Sequence, residues 1–167
     1  EDGPTHSGNY DLVYLRCIPN MIVMTPSDEN ETRKLLTTGF LHNGPASIRY
    51  PRGSGPNVIV ENDLSPVEIG KGRLIEEGSK DLIVINFGAL LDQAREVAST
   101  LGLTLIDMRF VKPLDEDILR KYLSEAQAFV SIEDGSVAGG AGSAVQEFCS
   151  DNNICLLYTS DAADELS

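Results

Sequence analysis

The sequence predicts an α/β protein in which the end of one open α/β domain is followed by a second domain with a doubly wound, mostly parallel sheet. Short apolar runs, of the kind buried in parallel sheets, alternate with stretches of helical period. A segment rich in Gly, Pro, Asn and Asp, with no sustained period, divides the chain. The 167 residues, of which 41% are hydrophobic, suffice for one ordinary domain or for parts of two.

The first region, residues 1–53, predicts a strand-helix-strand unit after a short helix over residues 10–15. Its strands are residues 21–24 and residues 46–50, which should be parallel with a right-handed crossover. Ser27 is the candidate N-cap of the intervening helix, because carboxylates follow in the first turn. The stripe of this helix that is expected to face inward consists of Leu35, Leu36 and Phe40.

Two arginines mark the end of the second strand. Pro51 lacks an N–H group and Gly53 permits a sharp turn, so the strand should stop and leave Arg52 at its carboxyl end. Open α/β sheets bind ligands at that edge. Because side chains alternate along a strand, Arg49 should point away from the face shared by Tyr50 and Arg52. Arg52 is therefore a candidate anchor for a phosphate or carboxylate, with a surface salt bridge as the alternative.

A linker over residues 54–71 precedes the second region, residues 72–154. Residues 72–78 predict an edge strand, and buried strands and helices then alternate, which implies a parallel, doubly wound sheet. The buried strands are residues 82–87, 103–108 and 128–132. The first helix should end at Gly102, and its inward stripe is Leu90, Leu91, Ala94, Val97, Ala98 and Leu101. A second helix after Pro113 carries Ile118, Leu119, Tyr122 and Leu123 inward.

The tail, residues 155–167, is treated separately. Residues 155–165 resemble the translation of a sequencing-library adaptor, so the tail is interpreted as non-native and left out of the fold prediction. The natural sequence would then stop near Ile154, before the final strand of the second domain, and a natural acidic tail is the alternative. The chain also begins in mid-fold, so we expect truncation at both ends.

Composition excludes several partners. The formal net charge of −13 makes neither nucleic acid nor an anionic membrane an expected partner. Apolar runs are too short to span a membrane and the first residues lack a signal-peptide pattern, which favours a soluble, cytoplasmic protein. Three cysteines without metal-ligand spacing argue against a disulfide framework, and Cys17 and Cys149 are expected to be buried thiols.

A glycine-rich segment, residues 139–144, follows a strand and opens a helix, as a dinucleotide-binding fingerprint does. The spacing fails, because Val145 stands where the third glycine belongs. Close packing of the helix on the strand is the favoured explanation. Glu133 and Asp134, just before this loop, are interpreted as a solvated turn, with catalytic carboxylates as the alternative.

Two histidines complete the candidates. His6 lies with Asp2 in a glycine-bounded loop and is a candidate for proton transfer, although a lone loop histidine is more often incidental. His42 is interpreted as a surface turn residue. The sequence offers no nucleophilic triad and no metal-ligand cluster.

Six ordered motifs are distinctive in combination. They are Asp2–His6, Tyr14–Pro19, Pro26–Asn30, Arg49–Gly53, Asp107–Pro113 and Gly139–Ser143. Together, over residues 1 to about 154, they resemble the 1-deoxy-D-xylulose-5-phosphate synthase family of transketolase-like thiamine-diphosphate enzymes. This resemblance implies a homodimeric enzyme that decarboxylates pyruvate and joins the two-carbon fragment to glyceraldehyde 3-phosphate. The product would be a precursor of isoprenoids, thiamine and pyridoxal.

The resemblance also implies roles for particular residues. His6 would be the catalytic residue beside the substrates, and Asp2 and Arg52 would bind substrate, Arg52 at the phosphate of the aldehyde. Residues 1–53 would end the pyrimidine-binding domain, and residues 72–154 would be the carboxyl-terminal domain, which supports the dimer. Thiamine diphosphate and Mg²⁺ would be cofactors of the full-length enzyme, bound mainly by residues outside this chain.

The departures from the family pattern limit these expectations. The cofactor-binding domain and its activating glutamate are not in the sequence, so the fragment is expected to be inactive alone. Transketolase or the β subunit of a 2-oxo-acid dehydrogenase is the alternative enzyme. A non-catalytic dimerisation module is the alternative from a different class.

Overall fold

The computed structural model describes the backbone of residues 8–162 and the side chains of residues 8–159. The helices are α1 (Asp11–Arg16), α2 (Glu29–Leu41), α3 (Leu91–Leu101), α4 (Glu116–Leu123) and α5 (Ala141–Asp151). The strands are β1 (Ile22–Met24), β2 (Ala46–Ile48), β3 (Arg73–Glu76), β4 (Ser79–Phe87), β5 (Leu103–Asp107), β6 (Phe110–Lys112), β7 (Ala128–Glu133) and β8 (Leu157–Ala162). They form two sheets, in the orders β2-β1-β6 and β3-β5-β4-β7-β8. Within this described part, no helix is both long and apolar enough to cross a membrane.

The five-stranded sheet confirms the doubly wound, mostly parallel topology. β4 pairs in parallel with β5 on one side and with β7 on the other, and β3 is an antiparallel edge strand. Ile83 and Ile85 of β4 pack with α4 and α5, whereas Val84 packs with α3 on the opposite face. The connection from β4 to β5 through α3 and the connection from β5 to β7 through α4 therefore lie on opposite faces of the sheet, and the strand order reverses at β4.

The first region forms the parallel strand-helix-strand unit that the sequence predicts, since Ile22 of β1 pairs with Ala46 of β2. β2 is shorter than predicted and ends at Ile48. Pairing continues only as far as the N–H of Arg49, which donates to the carbonyl of Met24 at 2.8 Å. The other side of β1 takes β6 as an antiparallel neighbour, and the sequence analysis did not predict this strand.

Two of the three predicted helix stripes are too wide, whereas Leu119, Tyr122 and Leu123 of the stripe on α4 are buried as predicted. On α2, Leu35 is buried, but Leu36 is 50% exposed and Phe40 is 88% exposed. On α3, Leu91, Ala94 and Ala98 are buried, whereas Val97 and Leu101 are exposed. A helix on one sheet face buries only a narrow line of positions, so apolar residues at the flanks of the stripe stay in solvent. The end of α3 is as predicted, because Gly102 adopts φ 64°.

The tail that the sequence analysis leaves out of the fold contributes a strand to it. Residues 157–162 form β8, parallel to β7, from the pair Ala128 and Leu157 to the pair Glu133 and Ala162. The ring of Tyr158 lies 4.7 Å from that of Phe129. Backbone pairing with an open strand edge requires no particular side chains, which is why a segment without a fold signal is ordered here. The origin of the tail stays a prediction.

The two cysteines that were expected to be buried differ. Cys149, on α5, is buried, and burial raises the pKa of its thiol. Cys17 is exposed, so the expectation is wrong for this residue. It follows the last residue of α1 at the protein surface.

Candidate functional site at the junction of the two regions

The carboxyl edge of the five-stranded sheet meets the first region. In open α/β sheets, ligands bind in the crevice at this edge where the strand order reverses, which here is the end of β4. The residues that follow β1 fill that place. A side-chain carbon on Gly88, just after β4, would lie 3.5 Å from Cβ of Thr25 and 3.7 Å from the carbonyl oxygen of Pro26. The crevice therefore holds part of the same chain.

A buried ionic network fixes this contact. Asp107, at the end of β5, is fully buried and accepts hydrogen bonds from Oγ of Ser27 at 2.9 Å and from Nε of Arg73 at 3.0 Å. Burial raises the pKa of Asp107, and the guanidinium of Arg73 opposes the shift. Because Ser27 is engaged here, Asp28 is the N-cap of α2, and it accepts from the N–H of Glu31 at 2.8 Å. The prediction of Ser27 as N-cap is wrong.

Glu31 extends the network through two arginines of the second region. Its side chain is only 4% exposed. It accepts two hydrogen bonds from Arg109, at 2.6 Å from Nε and 2.9 Å from Nη2, and a third from Nη1 of Arg73 at 3.3 Å. The two carboxylates of Asp107 and Glu31 are thus balanced by two guanidinium groups, as buried charges require.

Arg49 forms a second ionic junction. Its side chain is 13% exposed and donates to Asp134 at 2.9 Å, to Asp11 at 3.2 Å and to the carbonyl oxygen of Gly8 at 3.3 Å. Asp134 follows β7, so this arginine connects the end of β2 to the second region. The interpretation of Asp134 as part of a solvated turn is wrong, because its carboxylate is paired and partly buried.

Glu133 closes the β7 strand and is fully buried. Its carboxylate accepts from the N–H groups of Ala141 at 2.6 Å and Gly142 at 2.8 Å, at the start of α5. Burial raises the pKa of Glu133, and these two hydrogen bonds oppose the shift. The solvated-turn interpretation is therefore wrong for Glu133 too, which serves as the internal anion of a helix N-terminus.

The glycines of this loop pack closely, as the sequence analysis favoured. A side-chain carbon on Gly140 would overlap the carbonyl oxygen of Ser136 and the carboxylate of Glu133. On Gly142 it would overlap the hydroxyls of Ser131 and Tyr158. The position that would hold a phosphate in a dinucleotide-binding loop is thus taken by a carboxylate of the chain itself. Sequence reasoning missed this role, for which the only signal is an acidic residue ending a strand before a glycine-rich helix start.

Arg52 is exposed and lies four residues beyond the end of β2. Its neighbours Pro51 and Gly53 line a cavity of about 270 Å³, together with the start of α2 and Ala89. His6 and Asp2 lie outside the described residues. His42 is the C-cap residue of α2 and is half-buried.

The described residues do not fit a metal-bound diphosphate. Residues 8–162 contain no group of three or more His, Cys, Asp or Glu side chains that could hold a metal ion. The buried carboxylates of this part, Glu31, Asp107, Asp115 and Glu133, are already engaged by arginines or N–H groups.

The fold and the junction define a two-domain α/β protein whose carboxyl-terminal sheet uses its crevice to dock the preceding domain. Residues 1–57 match a family model described as transketolase, pyrimidine binding domain. Residues 70–161 match a model described as transketolase, C-terminal domain. The chain belongs to the transketolase family.

Curated relatives narrow the comparison. The chain is 55% identical over 154 residues to the 1-deoxy-D-xylulose-5-phosphate synthase of Pseudomonas fluorescens strain Pf0-1, and 56% identical to that of Pseudomonas syringae pv. tomato. Each match covers 92% of this chain and 24% of the relative, so the chain spans about a quarter of the length of these relatives. The resemblance drawn from the six motifs is confirmed.

Solved structures show the same fold. A split-gene transketolase, described as an inactive beta4 tetramer, matches with a TM-score of 0.86 and 30% identity, over 97% of this chain and 55% of that chain. The transketolase from Leishmania mexicana matches with a TM-score of 0.64 and 21% identity, over 89% of this chain and 26% of that chain. The predicted fold class is confirmed.

Proposed function

We propose that this chain is part of a 1-deoxy-D-xylulose-5-phosphate synthase. This thiamine-diphosphate-dependent transferase condenses pyruvate with glyceraldehyde 3-phosphate, with loss of CO₂, to give 1-deoxy-D-xylulose 5-phosphate. The observation that carries the proposal is the 55% identity to the Pseudomonas synthase over 92% of the chain. The full-length enzyme is then a cytoplasmic homodimer that uses Mg²⁺, and its product serves isoprenoid, thiamine and pyridoxal synthesis.

Arg52 anchors the phosphate of the aldehyde in this proposal. A guanidinium is permanently charged and offers paired donors that match phosphate oxygens. The exposure of Arg52 and its place beside a cavity after β2 support this role. Because the phosphate is remote from the reacting carbon, this contact supplies binding energy that orients the aldehyde for reaction.

The other proposed site residues, His6 and Asp2, are assigned from the first motif alone. In this proposal the imidazole of His6 hydrogen-bonds substrate oxygens and moves a proton, and Asp2 contacts the substrate. The described residues provide no site for the metal and diphosphate, so we assign no step of cofactor chemistry to them. We propose that this chain is inactive alone.

The test uses the full-length parent enzyme. We expect it to form 1-deoxy-D-xylulose 5-phosphate from pyruvate and glyceraldehyde 3-phosphate. Arg52→Ala should raise the KM for the aldehyde about tenfold or more, because a charge-assisted contact worth roughly 1.5–3 kcal/mol is lost. Pyruvate decarboxylation should be spared. Arg95→Ala, at an exposed position on α3, is the matched control.

Three outcomes decide the matter. Unchanged aldehyde kinetics in Arg52→Ala would remove this residue from the site. A parent that forms no product from this substrate pair would overturn the proposed function. Turnover of ketose and aldose phosphates without CO₂ release would instead indicate a transketolase.

A further inference from the structure

We propose that Arg49 is a positioning residue for the acceptor phosphate, and that it acts by tying the end of β2 to Asp134 of the second region. The inference rests on the proposed function and extends it. It makes the carboxyl-terminal domain a contributor to substrate affinity, through a contact that does not itself touch substrate.

Three chain segments meet at the Arg49 guanidinium. Its acceptors are the carbonyl oxygen of Gly8, the carboxylate of Asp11 at the start of α1, and the carboxylate of Asp134 after β7. Gly8 follows His6 by two positions in the sequence, and Arg52 follows Arg49 by three. One side chain therefore fixes the described ends of both segments that carry the proposed substrate contacts.

The ion pairs of Arg49 with Asp11 and Asp134 fix the positions of the segments that they join. The side chains of Arg49, Asp11 and Asp134 are 13%, 19% and 26% exposed, so solvent screens these ion pairs only partly. A planar guanidinium holds its donors in a rigid fork and can serve three acceptors at fixed angles, whereas the three donors of a lysine ammonium share one nitrogen and rotate on a flexible stem. A backbone bond from the N–H of Ser136 to the carbonyl of Asn9, at 2.9 Å, joins the same two loops.

Displacement at Arg49 passes directly to Arg52. The backbone of Arg49 is held to β1 by its bond to Met24, and no strand pairing continues beyond it. Between the two arginines stand only Tyr50 and Pro51, and proline keeps its φ fixed. An error of about 1 Å in a binding group is enough to cost up to about a hundredfold in rate. The phosphate of the acceptor is the group that this error would affect.

The test measures selectivity for the phosphate in the full-length parent enzyme. Asp134→Asn keeps the shape of the side chain and removes its charge, and Arg49→Lys keeps the charge and removes the fork. For each, kcat/KM is compared between glyceraldehyde 3-phosphate and unphosphorylated D-glyceraldehyde. We expect the ratio to fall about tenfold in both variants, with the KM for pyruvate within about twofold of the parent. The double variant should lose no more than either single one, since both act through one contact.

Lys80→Ala provides the control, because it breaks an exposed ion pair with Glu125 in the same domain and should leave the ratio unchanged. An equal fall in kcat with both acceptors, or a lower melting temperature with an unchanged ratio, would overturn the inference and leave a structural role only. If Asp134→Asn does not fold, the same kcat/KM ratio is measured in Asp134→Glu, which retains the charge but moves the carboxylate, and the ratio is again expected to fall. A parent that is active and selectively impaired by Arg52→Ala, but unaffected by Asp134→Asn, refutes this inference and leaves the proposed function standing.

Discussion

The two regions of this chain are stabilised in different ways. The second region buries apolar side chains on both faces of β4, in a cluster under α3 and a larger one under α4 and α5. The cluster of the first region is small, and its buried members are Ile22, Met24, Leu35 and Phe110. Phe110 belongs to β6, which is part of the second region's sequence and pairs with β1 of the first region. The comparison teaches that the second region holds most of the buried apolar side chains, with Leu12 and Val23 of the first region joining its larger cluster, whereas the first region depends on contacts supplied by its neighbour.

Of the substitutions that test this difference between the regions, Glu31→Ala should have the largest effect on stability. Removing this carboxylate leaves Arg73 and Arg109 without their shared partner, which should lower the free energy of unfolding by about 3 kcal/mol, at the low end for a broken buried pair because both arginines reach solvent. Urea unfolding of this chain measures the loss. Hydrogen exchange should show that amide protection falls more in β1 than in β4.

Glu116→Ala is the matched control for that change. Its carboxylate pairs with Arg120 at 3.6 Å on an exposed helix face, and such pairs contribute only about 0–1 kcal/mol. Equal loss of amide protection in β1 and β4 after Glu31→Ala would show that the two regions unfold as one unit. It would contradict the proposed difference in how they are stabilised.

A smaller effect, located inside the second region, is expected from Glu133→Gln. The amide retains one acceptor oxygen, so one of the N–H groups of Ala141 and Gly142 faces an NH₂ group and stays buried without a partner. This should cost about 1–3 kcal/mol in the free energy of unfolding, measured by urea denaturation. Here β4 and β7 should lose protection together with α5. Glu96→Gln, exposed on α3, is the control, and an equal loss in that variant would contradict the role assigned to Glu133.

The smallest effect concerns the connection between the two regions, which lies along α2. Asp63 accepts from the hydroxyl and N–H of Ser65, at 2.7 Å and 2.9 Å, and pairs with Lys34 at 2.9 Å. The bonds from Ser65, followed by that from Lys34, hold the pKa of Asp63 well below its ordinary value of 3.8. A folded pKa below the unfolded one gives a contribution that is present above the unfolded value and lost as pH falls through the folded value.

We therefore expect the protection of the Ser65 amide, corrected for intrinsic exchange, to fall below about pH 4 while β4 stays protected. Asp63→Asn should remove this pH dependence with little change in global stability. Asp92→Asn, on the exposed face of α3, should leave it in place. Acid loss at Ser65 that persists in Asp63→Asn would mean that another group holds the connection.

Periodicity predicted those parts of the fold that depend on local pattern. The strands of the second region and the end of α3 at Gly102 follow from alternating apolar runs and from glycine's freedom at positive φ. β6 was missed because three residues carry no period, and it exists only where β1 offers an edge. The exposure of Phe40 likewise depends on which neighbour covers α2, and its sequence pattern does not specify one.

In the candidate site, too, the features that depend on local pattern were predicted and those that depend on distant partners were not. The proline and glycine around Arg52 indicate a strand end, and the chain does leave β2 before them. The partners of Arg49 could not be predicted, because Asp134 is 85 positions away in the sequence. The same holds for Ser27, whose capping pattern is sound but whose hydroxyl is recruited by Asp107, 80 positions away. In both cases a partner that is distant in the sequence determines which hydrogen bonds the side chain makes, and the local sequence pattern does not specify that partner.

The docking of Thr25 and Pro26 against Gly88 has a consequence for how the polypeptide could be divided. In that crevice the first region behaves as a tethered ligand of the second, and the tether runs along α2, where Asn30 hydrogen-bonds to Ile59 and Glu61. A break in the connection would turn the docking into a bimolecular association governed by an ordinary dissociation constant. If that constant lies below protein concentration, two separately synthesised pieces reassemble through the buried arginines and carboxylates.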